Sequence, residues 1–339
     1  DAMKTQLQKA YDWLIGLIDD TYKLMKKDNA LCFLDGLHPV ALPNHVAYDT
    51  APNVIAWRVL REAYEIFGDT KYKAAADKLQ EGLASMWLEN YGWYGGFRDT
   101  TGAIEFPDKL EAPANAFALA MAYATGDKAL KVLGRFHATA GSGGMDGVPV
   151  CMVYPTYTAA QGGGDTPSYQ NGGSWPYMGA VLLWAAAQFY GEKAAEIMQA
   201  LAEMDAIVEP FTFNEWHNNQ VTNPSKTNYG SPASTPVFVW AAGLHVWSLF
   251  KALGLYADYK FALKIHPVAT NLDGISLKTF KIGNTTFNLS YVGKPDGSLE
   301  LCLPTSYLDG GTHNVAVKNT SHEVKVDGAL VASRSRPYV

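Results

Sequence analysis

Clustered basic charge is scarce in this chain. Its 339 residues carry 27 Lys and Arg against 33 Asp and Glu, a formal net charge of −6, and no basic run exceeds Lys26-Lys27. Because binding to phosphates requires clustered positive charge, the composition argues against nucleic acid as a main partner.

Long apolar runs and closely spaced cysteines are also missing. The longest apolar run, residues 180–187, is far shorter than the roughly 20 residues of a membrane-spanning helix. Cys32, Cys151 and Cys302 lie too far apart in sequence for a disulfide framework or for the usual spacing of zinc ligands.

Sequence signals for metals and cofactors are equally weak. The histidines, among them His137, His245 and His313, are scattered without the spacing of a ligand set. The run 162–164 is three glycines, but it lacks the Lys-Ser/Thr signature of a phosphate loop. We therefore expect neither a metal nor a cofactor.

Aromatic side chains, by contrast, are abundant. They make up 12% of the residues, with 9 Trp and 19 Tyr. In an acidic chain, Trp and Tyr beyond the needs of the core often line carbohydrate clefts, because a flat ring stacks on the C–H face of a sugar. Any single one of them can equally be a core residue.

Apolar periodicity predicts helices over the first three-quarters of the chain. Steps of three and four residues, such as Leu7, Tyr11, Leu14 and Ile18, place one apolar stripe on a helix. The predicted helices cover residues 3–27, 51–67, 70–87, 112–125, 127–137, 175–190, 192–205 and 234–253.

Three joints between these helices share a pattern. Gly68, Gly126 and Gly191 are each followed by Asp or Glu, so that glycine ends one helix and a carboxylate begins the next. The intervals of 58 and 65 residues suit helical hairpins with long return loops. This repetition predicts a mainly α protein, an α/α toroid whose loops gather on one face, where we expect the function.

The pattern of apolar and polar residues changes after Gly254. Alternating apolar and polar residues, as in 275–282 and 286–292, predict a small antiparallel β-domain. We place the domains at residues 1–256, the helical catalytic domain, and 257–339, a β-sandwich.

The first candidate for chemistry is the loop Phe211-Thr-Phe-Asn-Glu-Trp-His-Asn-Asn219. It holds one carboxylate, Glu215, among amides that can bond sugar hydroxyls. Glu215 is the predicted general base, and the competing interpretation is a solvated loop carboxylate in an ion pair.

The second candidate is Ser168-Tyr-Gln-Asn-Gly-Gly-Ser-Trp-Pro176, which precedes a helix. Gln170 and Asn171 offer donors and acceptors, and Trp175 offers a stacking face. It is typical of a sugar-binding rim, and the alternative is an elaborate N-terminal cap.

These two segments resemble a known family. Tyr169-Gln-Asn-Gly-Gly-Ser-Trp-Pro176, the apolar helix after it, the Gly-Glu joint and the Glu-aromatic loop are similar to neutral/alkaline invertases and their six-hairpin glycosidase relatives. The segment from Gly230 through the helix to Leu253 resembles rhamnosidase-type and glucosidase-type members. The resemblance covers roughly residues 165–255 and implies an (α/α)6 barrel in which Glu215 is the general base of an inverting hydrolysis.

An inverting glycosidase also requires a general acid, a second carboxylate roughly 6.5–9.5 Å from the base. The resemblance implies an Asp ahead of a helix like 51–67, the place that Asp35 occupies, although Gly36 stands where an aromatic usually follows. The rivals are Asp49 and Asp99, and a turn or ion-pair role is favoured for Asp99.

Further aromatics complete the predicted pocket. Trp93, Tyr94, Trp175, Trp216 and Tyr157 are expected to frame it, while Gln170, Asn171 and His217 bind the substrate. Each of these residues could instead be a packing residue.

Several alternatives stay open at this point. A complete barrel needs about twelve helices, so missing hairpins or a second chain could complete it. A glycoside phosphorylase would need a basic pocket for phosphate. A polysaccharide lyase or sugar epimerase would need a catalytic pair such as Tyr229 with His217. A non-catalytic glycan-binding protein would tolerate loss of the Asp35 or Glu215 carboxylate. The expected substrate is an oligo- or polysaccharide, and a secreted or periplasmic location is favoured.

Overall fold

A computed structural model describes the chain over most of its helical part and over the strands that follow. The described residues are 2–26, 47–137, 151–161, 169–189, 191–205, 213–218, 231–233, 238–253, 255–257, 263–265, 276–282, 285–293, 299–302, 323–326 and 329–333. Within them the chain is mainly helical with small antiparallel sheets. In this part no helix combines the length and apolarity needed to cross a membrane.

The predicted helices are confirmed in number and order within the described residues. They are α1 (Ala2–Gly16), α2 (Thr50–Phe67), α3 (Thr70–Ala84), α4 (Ala112–Ala120), α5 (Gly126–His137), α6 (Pro176–Phe189), α7 (Gly191–Asp205) and α8 (Val239–Ala252).

The first helix is the main difference, because it ends at Gly16 and not near residue 27. The Asp19 carboxylate accepts hydrogen bonds from the backbone N–H groups of Thr21 (2.8 Å) and Tyr22 (2.9 Å), which turns the chain. Ile18 then pairs with Met25 across the turn. The apolar stripe continues into a folded loop, so periodicity alone overestimated the helix.

The joint between α2 and α3 has the predicted chemistry. Gly68 takes a left-handed φ of 70°, and its N–H bonds the Tyr64 carbonyl at 2.8 Å. Asp69 then accepts a hydrogen bond from the Lys71 N–H at 3.0 Å and begins α3.

The helices form two layers. The even-numbered helices contact one another in succession, α2 with α4, α4 with α6 and α6 with α8, while α3, α5 and α7 each pack on the preceding even helix. Every residue of α4 is buried, as its sequence Ala-Pro-Ala-Asn-Ala-Phe-Ala-Leu-Ala requires of a helix that is apolar on all sides. The even-numbered helices are called the inner row below, and closure of this row into a toroid stays a prediction.

Short strands precede the inner row. They are β1 (Ala47–Asp49), β2 (Trp87–Leu88), β3 (Trp93–Tyr94), β4 (Phe97–Asp99), β5 (Leu110–Glu111), β6 (Val153–Tyr154), β7 (Trp216–Asn218) and β8 (Ser231–Ala233). The antiparallel pairs are β1 with β4, β2 with β3, β5 with β6 and β7 with β8. Since β1 leads directly into α2 and β5 into α4, the pairs β1 with β4 and β5 with β6 lie at the N-terminal ends of these two inner helices.

The predicted change to antiparallel β structure is confirmed. The strands are β9 (Leu255–Ala257), β10 (Leu263–Ile265), β11 (Ser276–Ile282), β12 (Thr285–Gly293), β13 (Leu299–Cys302), β14 (Glu323–Val326) and β15 (Ala329–Ser333). β11, β12 and β13 form one sheet, β9 pairs with β10, and β14 pairs with β15. A sandwich and the domain boundary at 256/257 stay predictions.

Candidate active site

The start of each inner helix is held by backbone hydrogen bonds to a neighbouring segment. We call this region the rim: residues 47–50, 95–97, 110–112, 151–154, 173–175, 213–218 and 238. The bonds run from Thr50 N–H to Gly96 O (2.8 Å), Ala112 N–H to Met152 O (2.9 Å), Met152 N–H to Gly173 O (3.2 Å), His217 N–H to Ser174 O (2.7 Å) and Phe238 N–H to Phe213 O (2.8 Å). These bonds connect the starts of α4, α6 and α8, and the contact between Gly96 and the Glu111 side chain places the start of α2 beside that of α4.

The predicted base lies on this rim. Glu215 is half-buried between Asn214, which is buried, and the start of β7. Glu215 interacts electrostatically with Tyr169. The pKa of the Tyr169 phenol is raised mainly by burial and, to a smaller extent, by the negative charge of Glu215. The structure thus brings the two predicted segments, around 169–175 and 213–218, together at one place.

An aromatic group, Tyr169, Trp175 and Trp216, stands beside Glu215. The Tyr169 ring meets the other two edge-on, with centroids 5.0 Å from Trp175 and 5.5 Å from Trp216. Trp175 is buried, and its indole N–H donates to the Tyr169 carbonyl at 3.2 Å. Tyr169 has 40% of its surface exposed, so it is the ring that solvent reaches best.

The amide of Asn171 holds the backbone of Tyr157. Its Oδ1 accepts from the Tyr157 N–H at 2.8 Å and its Nδ2 donates to the Tyr157 carbonyl at 3.0 Å. Gln170, the neighbouring amide, is half-buried. Both residues stay predicted ligands of sugar hydroxyls, but Asn171 also has a structural role that its position in the sequence did not reveal.

Trp93 and Tyr94 lie in β3 with buried rings. The Trp93 indole donates to the Pro107 carbonyl at 3.2 Å, and the Arg135 guanidinium lies 5.6 Å from the centre of its ring. Burial raises the pKa of Tyr94 to about 12. These are packing contacts, and sugar binding by either residue stays a prediction.

His217 is fully buried in β7 and pairs through its backbone with Ser174, while Cys151 pairs with the other side of Ser174. In the described part of the chain, no three His, Cys, Asp or Glu side chains are arranged to hold a metal ion.

The candidate acids differ in environment. Asp35 lies outside the described residues. Asp49 is buried on the rim as the residue before α2. Asp99 accepts hydrogen bonds from the hydroxyl (2.7 Å) and N–H (2.8 Å) of Thr101, and these contacts, the hydroxyl foremost, lower the pKa of its carboxyl. Asp99 is therefore a turn residue.

Glu111 was missed by the sequence analysis. It is buried as the residue before α4, and the phenol of Tyr157 donates a hydrogen bond to its carboxylate. Burial, and then the charge of Glu111, raise the pKa of Tyr157 well above its ordinary value, which keeps the phenol a donor. A Cβ on Gly96 would collide with the Glu111 carboxylate, so a larger residue at position 96 would require this carboxylate to move.

Asp49 and Glu111 belong to a repeated structural unit. In each case an Asn four residues later donates to the carbonyl of the acidic residue: Asn53 to Asp49 at 2.7 Å and Asn115 to Glu111 at 3.0 Å. Each Asn also accepts a backbone N–H from an earlier segment, from Met25 for Asn53 (2.6 Å) and from Tyr94 for Asn115 (2.9 Å). The pattern acid-x-x-x-Asn with a proline inside it is the signal that could have found Glu111.

No protein-family model and no curated protein sequence matches the chain. Solved structures do match it. A GH78-family rhamnosidase from Bacillus sp. GL1 is similar over 96% of this chain and 31% of its own, at 16% identity and a TM-score of 0.58. A GH63 mannosylglycerate hydrolase from Thermus thermophilus, in complex with glucose, is similar over 60% of this chain and 48% of its own, at 17% identity and a TM-score of 0.46.

The chain shares the helical fold of the rhamnosidase. This likeness confirms, at the level of the fold, the resemblance to rhamnosidase-type glycosidases noted in the sequence. The chain spans about a third of the rhamnosidase's length. Fold alone does not specify chemistry, so the function has to be argued from the rim.

Proposed function

We propose that this chain carries the active site of a glycoside hydrolase acting on an oligo- or polysaccharide by an inverting mechanism, with Glu215 as the general base. The observation that carries the proposal is the position of Glu215: a half-buried carboxylate on the rim, beside the exposed ring of Tyr169. The fold shared with a rhamnosidase supports it.

The base activates water in this mechanism. Glu215 takes a proton from a water molecule as that water attacks the anomeric carbon, and a second carboxyl group protonates the leaving oxygen. Asp35 is the proposed acid, with Asp49 as its rival. Asp99 is a poor acid because its lowered pKa leaves it ionised near neutral pH.

The sugar would lie across the aromatic group. Tyr169 offers the most exposed ring, Trp216 and Trp175 back it, and Gln170 and Asn171 supply amide contacts. His217, Trp93 and Tyr94 complete the proposed set of substrate-binding residues.

Sugar release from a broad panel of oligo- and polysaccharides tests the proposal. The native chain should release sugar with inverted configuration, read by NMR before mutarotation, and Glu215→Gln and Asp35→Asn should each abolish release. Glu203→Gln, the same change at an exposed position on α7, is the matched control and should retain activity.

Two results would contradict parts of the proposal. Release with retained configuration would exclude the inverting mechanism. Retention of a glycan on an affinity column without any release by the native chain would favour a non-catalytic glycan-binding protein.

A further inference from the structure

We propose that Asn214 is a specificity-determining residue of the candidate active site and that its side-chain N–H group binds a hydroxyl group of the sugar beside Glu215. This inference deepens the proposed function and rests on it. Asn214 is only 3% exposed, and within the part of the chain that the structure describes its Nδ2 donates no hydrogen bond.

The other buried asparagines among the described residues use the same donor. Nδ2 of Asn53 donates to a backbone carbonyl at 2.7 Å, and Nδ2 of Asn115 donates to two, each at 3.0 Å. Buried donors are nearly always bonded in this way, because a donor that leaves water without gaining an acceptor destabilises the folded protein. Asn214 therefore differs from both, and its donor is available to a bound molecule.

The backbone on both sides of Asn214 is fixed without help from its amide. The Phe213 carbonyl accepts from the Phe238 N–H at 2.8 Å, which joins the segment to the start of α8. His217 exchanges two backbone hydrogen bonds with Ser174, at 2.7 and 3.1 Å, which join it to the start of α6. The backbone that carries the amide is thus in place before a sugar binds, and this lowers the entropic cost of using the amide as a ligand contact.

The surroundings of Asn214 suit a sugar hydroxyl group. The next residue is Glu215, the proposed base, and the ring of Tyr169 beside it is 40% exposed. The torsion that orients an asparagine amide is broad, and among the described residues no hydrogen bond of Nδ2 has to break when the amide turns towards a bound sugar. A hydroxyl oxygen can accept from this N–H while its own proton goes to another acceptor.

A shielded donor of this kind discriminates between sugars. A sugar with a hydroxyl group at the right ring position satisfies the donor. A sugar that lacks this group leaves the donor unbonded in a site from which water is excluded, and we expect the native chain to disfavour it at least about tenfold in kcat/KM.

The stability of the free protein tests the unbonded donor without any sugar. Asn214→Leu removes the donor at nearly constant size and should leave the midpoint of thermal unfolding unchanged or raise it. Asn115→Leu removes a donor that is bonded twice and should lower the midpoint by at least about 3 °C. Asn214→Ala and Asn115→Ala repeat the comparison with a smaller side chain and serve in place of a leucine variant that does not fold.

Deoxy sugars identify the hydroxyl group that Asn214 binds. The probes are p-nitrophenyl glycosides of glucose, mannose and galactose in both anomers, each with its monodeoxy forms, and their hydrolysis and binding are both measured. At one ring position, deoxygenation should weaken recognition by the native chain at least about tenfold and recognition by Asn214→Leu less than about twofold. Asn90→Leu, the same substitution at an exposed turn position, should behave as the native chain does.

The outcomes separate the two proposals. Three results overturn the inference and leave the hydrolase proposal standing. They are an equal deoxygenation penalty for the native chain and Asn214→Leu at every ring position, a loss of free-protein stability on Asn214→Leu as large as that on Asn115→Leu, and sugar release from the polysaccharide panel without recognition of any aryl glycoside. Absence of sugar release from every substrate, together with absence of binding, overturns the proposed function and this inference with it.

Discussion

The side-chain amide of Asn115 replaces a backbone partner for Tyr94: its Oδ1 accepts from the Tyr94 N–H at 2.9 Å, and its Nδ2 donates to the Tyr94 carbonyl at 3.0 Å. The same Nδ2 donates to the carbonyl of Glu111. One buried amide thus ties β3 to the start of α4, and this connection sets the position of Glu111 on the rim.

Replacing Asn115 with Ala should therefore destabilise the fold. Three buried hydrogen bonds are lost and their backbone partners are left without a substitute, which costs about 2–4 kcal/mol of the free energy of unfolding. Urea denaturation followed by tryptophan fluorescence measures this. Asn90→Ala, at an exposed turn position, is the control and should change stability by less than about 0.5 kcal/mol. Equal effects of the two substitutions would contradict the role given to Asn115.

Gly96→Ala and Gly134→Ala should change the free energy of unfolding in opposite directions. The new methyl group at position 96 would meet the Glu111 carboxylate, and we expect destabilisation by about 1–3 kcal/mol. A Cβ at Gly134, on the exposed side of α5, meets no atom within 4 Å, so alanine should stabilise the helix by about 0.5–1 kcal/mol. Thermal and urea unfolding test both changes, and a neutral Gly96→Ala would show that the carboxylate moves freely.

Lys251 should make stability depend on pH. Burial first, and then the charge of Arg58, lower the pKa of its ammonium from 10.5 to about 8. Between these values the unfolded chain binds more protons than the folded one, so the contribution of Lys251 to the free energy of unfolding rises with pH. Partial exposure and the Trp247 ring 4.5 Å away limit this rise to about 1–2 kcal/mol.

The comparison with Lys251→Met isolates this contribution. Relative to the native chain, the variant should be more stable at pH 7 than at pH 10. At the lower pH only the native chain carries the partly buried, charged ammonium of Lys251. Urea unfolding at both pH values gives the difference. The same substitution at the exposed Lys9 serves as control, and a constant difference for Lys251→Met would refute the prediction.

Comparing Asn171→Ala with Gln170→Ala should separate the structural role of the Asn171 amide from glycan binding. Loss of the Asn171 amide removes both hydrogen bonds to the backbone of Tyr157, and we expect the free energy of unfolding to fall by about 1–3 kcal/mol. Glycan binding should weaken as well. Gln170→Ala should weaken glycan binding at unchanged stability. Paired unfolding and glycan-affinity measurements check this, and an Asn171→Ala protein as stable as the native one would argue for a role in binding alone.

Much of the helical part could be predicted from the sequence because its signals are local. Apolar periodicity identified the helices within the described residues, and Gly68 with Asp69 marked a joint whose caps the structure shows. The end of α1 could not be predicted in this way, since the apolar stripe continues through the turn at Asp19. Periodicity reports which side of a segment is apolar, and a folded loop satisfies it as well as a helix does.

The candidate site was predictable only in part. The polar and aromatic loops around Asn171 and Glu215 have an unusual composition, and the structure brings them together on the rim. Glu111 gave no comparable signal, because Leu-Glu-Ala-Pro is typical of an ordinary helix start. Its place beside Tyr157 and Gly96 depends on segments 46 and 15 residues away in sequence.

By itself, the sequence determined the order of the helices within the described residues, the change to β structure after α8 and the polar, aromatic character of the loops. Each of these follows from spacing and composition within a short window. Only the tertiary structure decided that Trp93 and Tyr94 are buried, that Asn171 holds a backbone, and that Asp49 and Glu111 lie at one rim with Glu215. Those results depend on which inner helices are neighbours and on how their N-terminal ends are placed beside one another. Such long-range packing is a property of the whole fold.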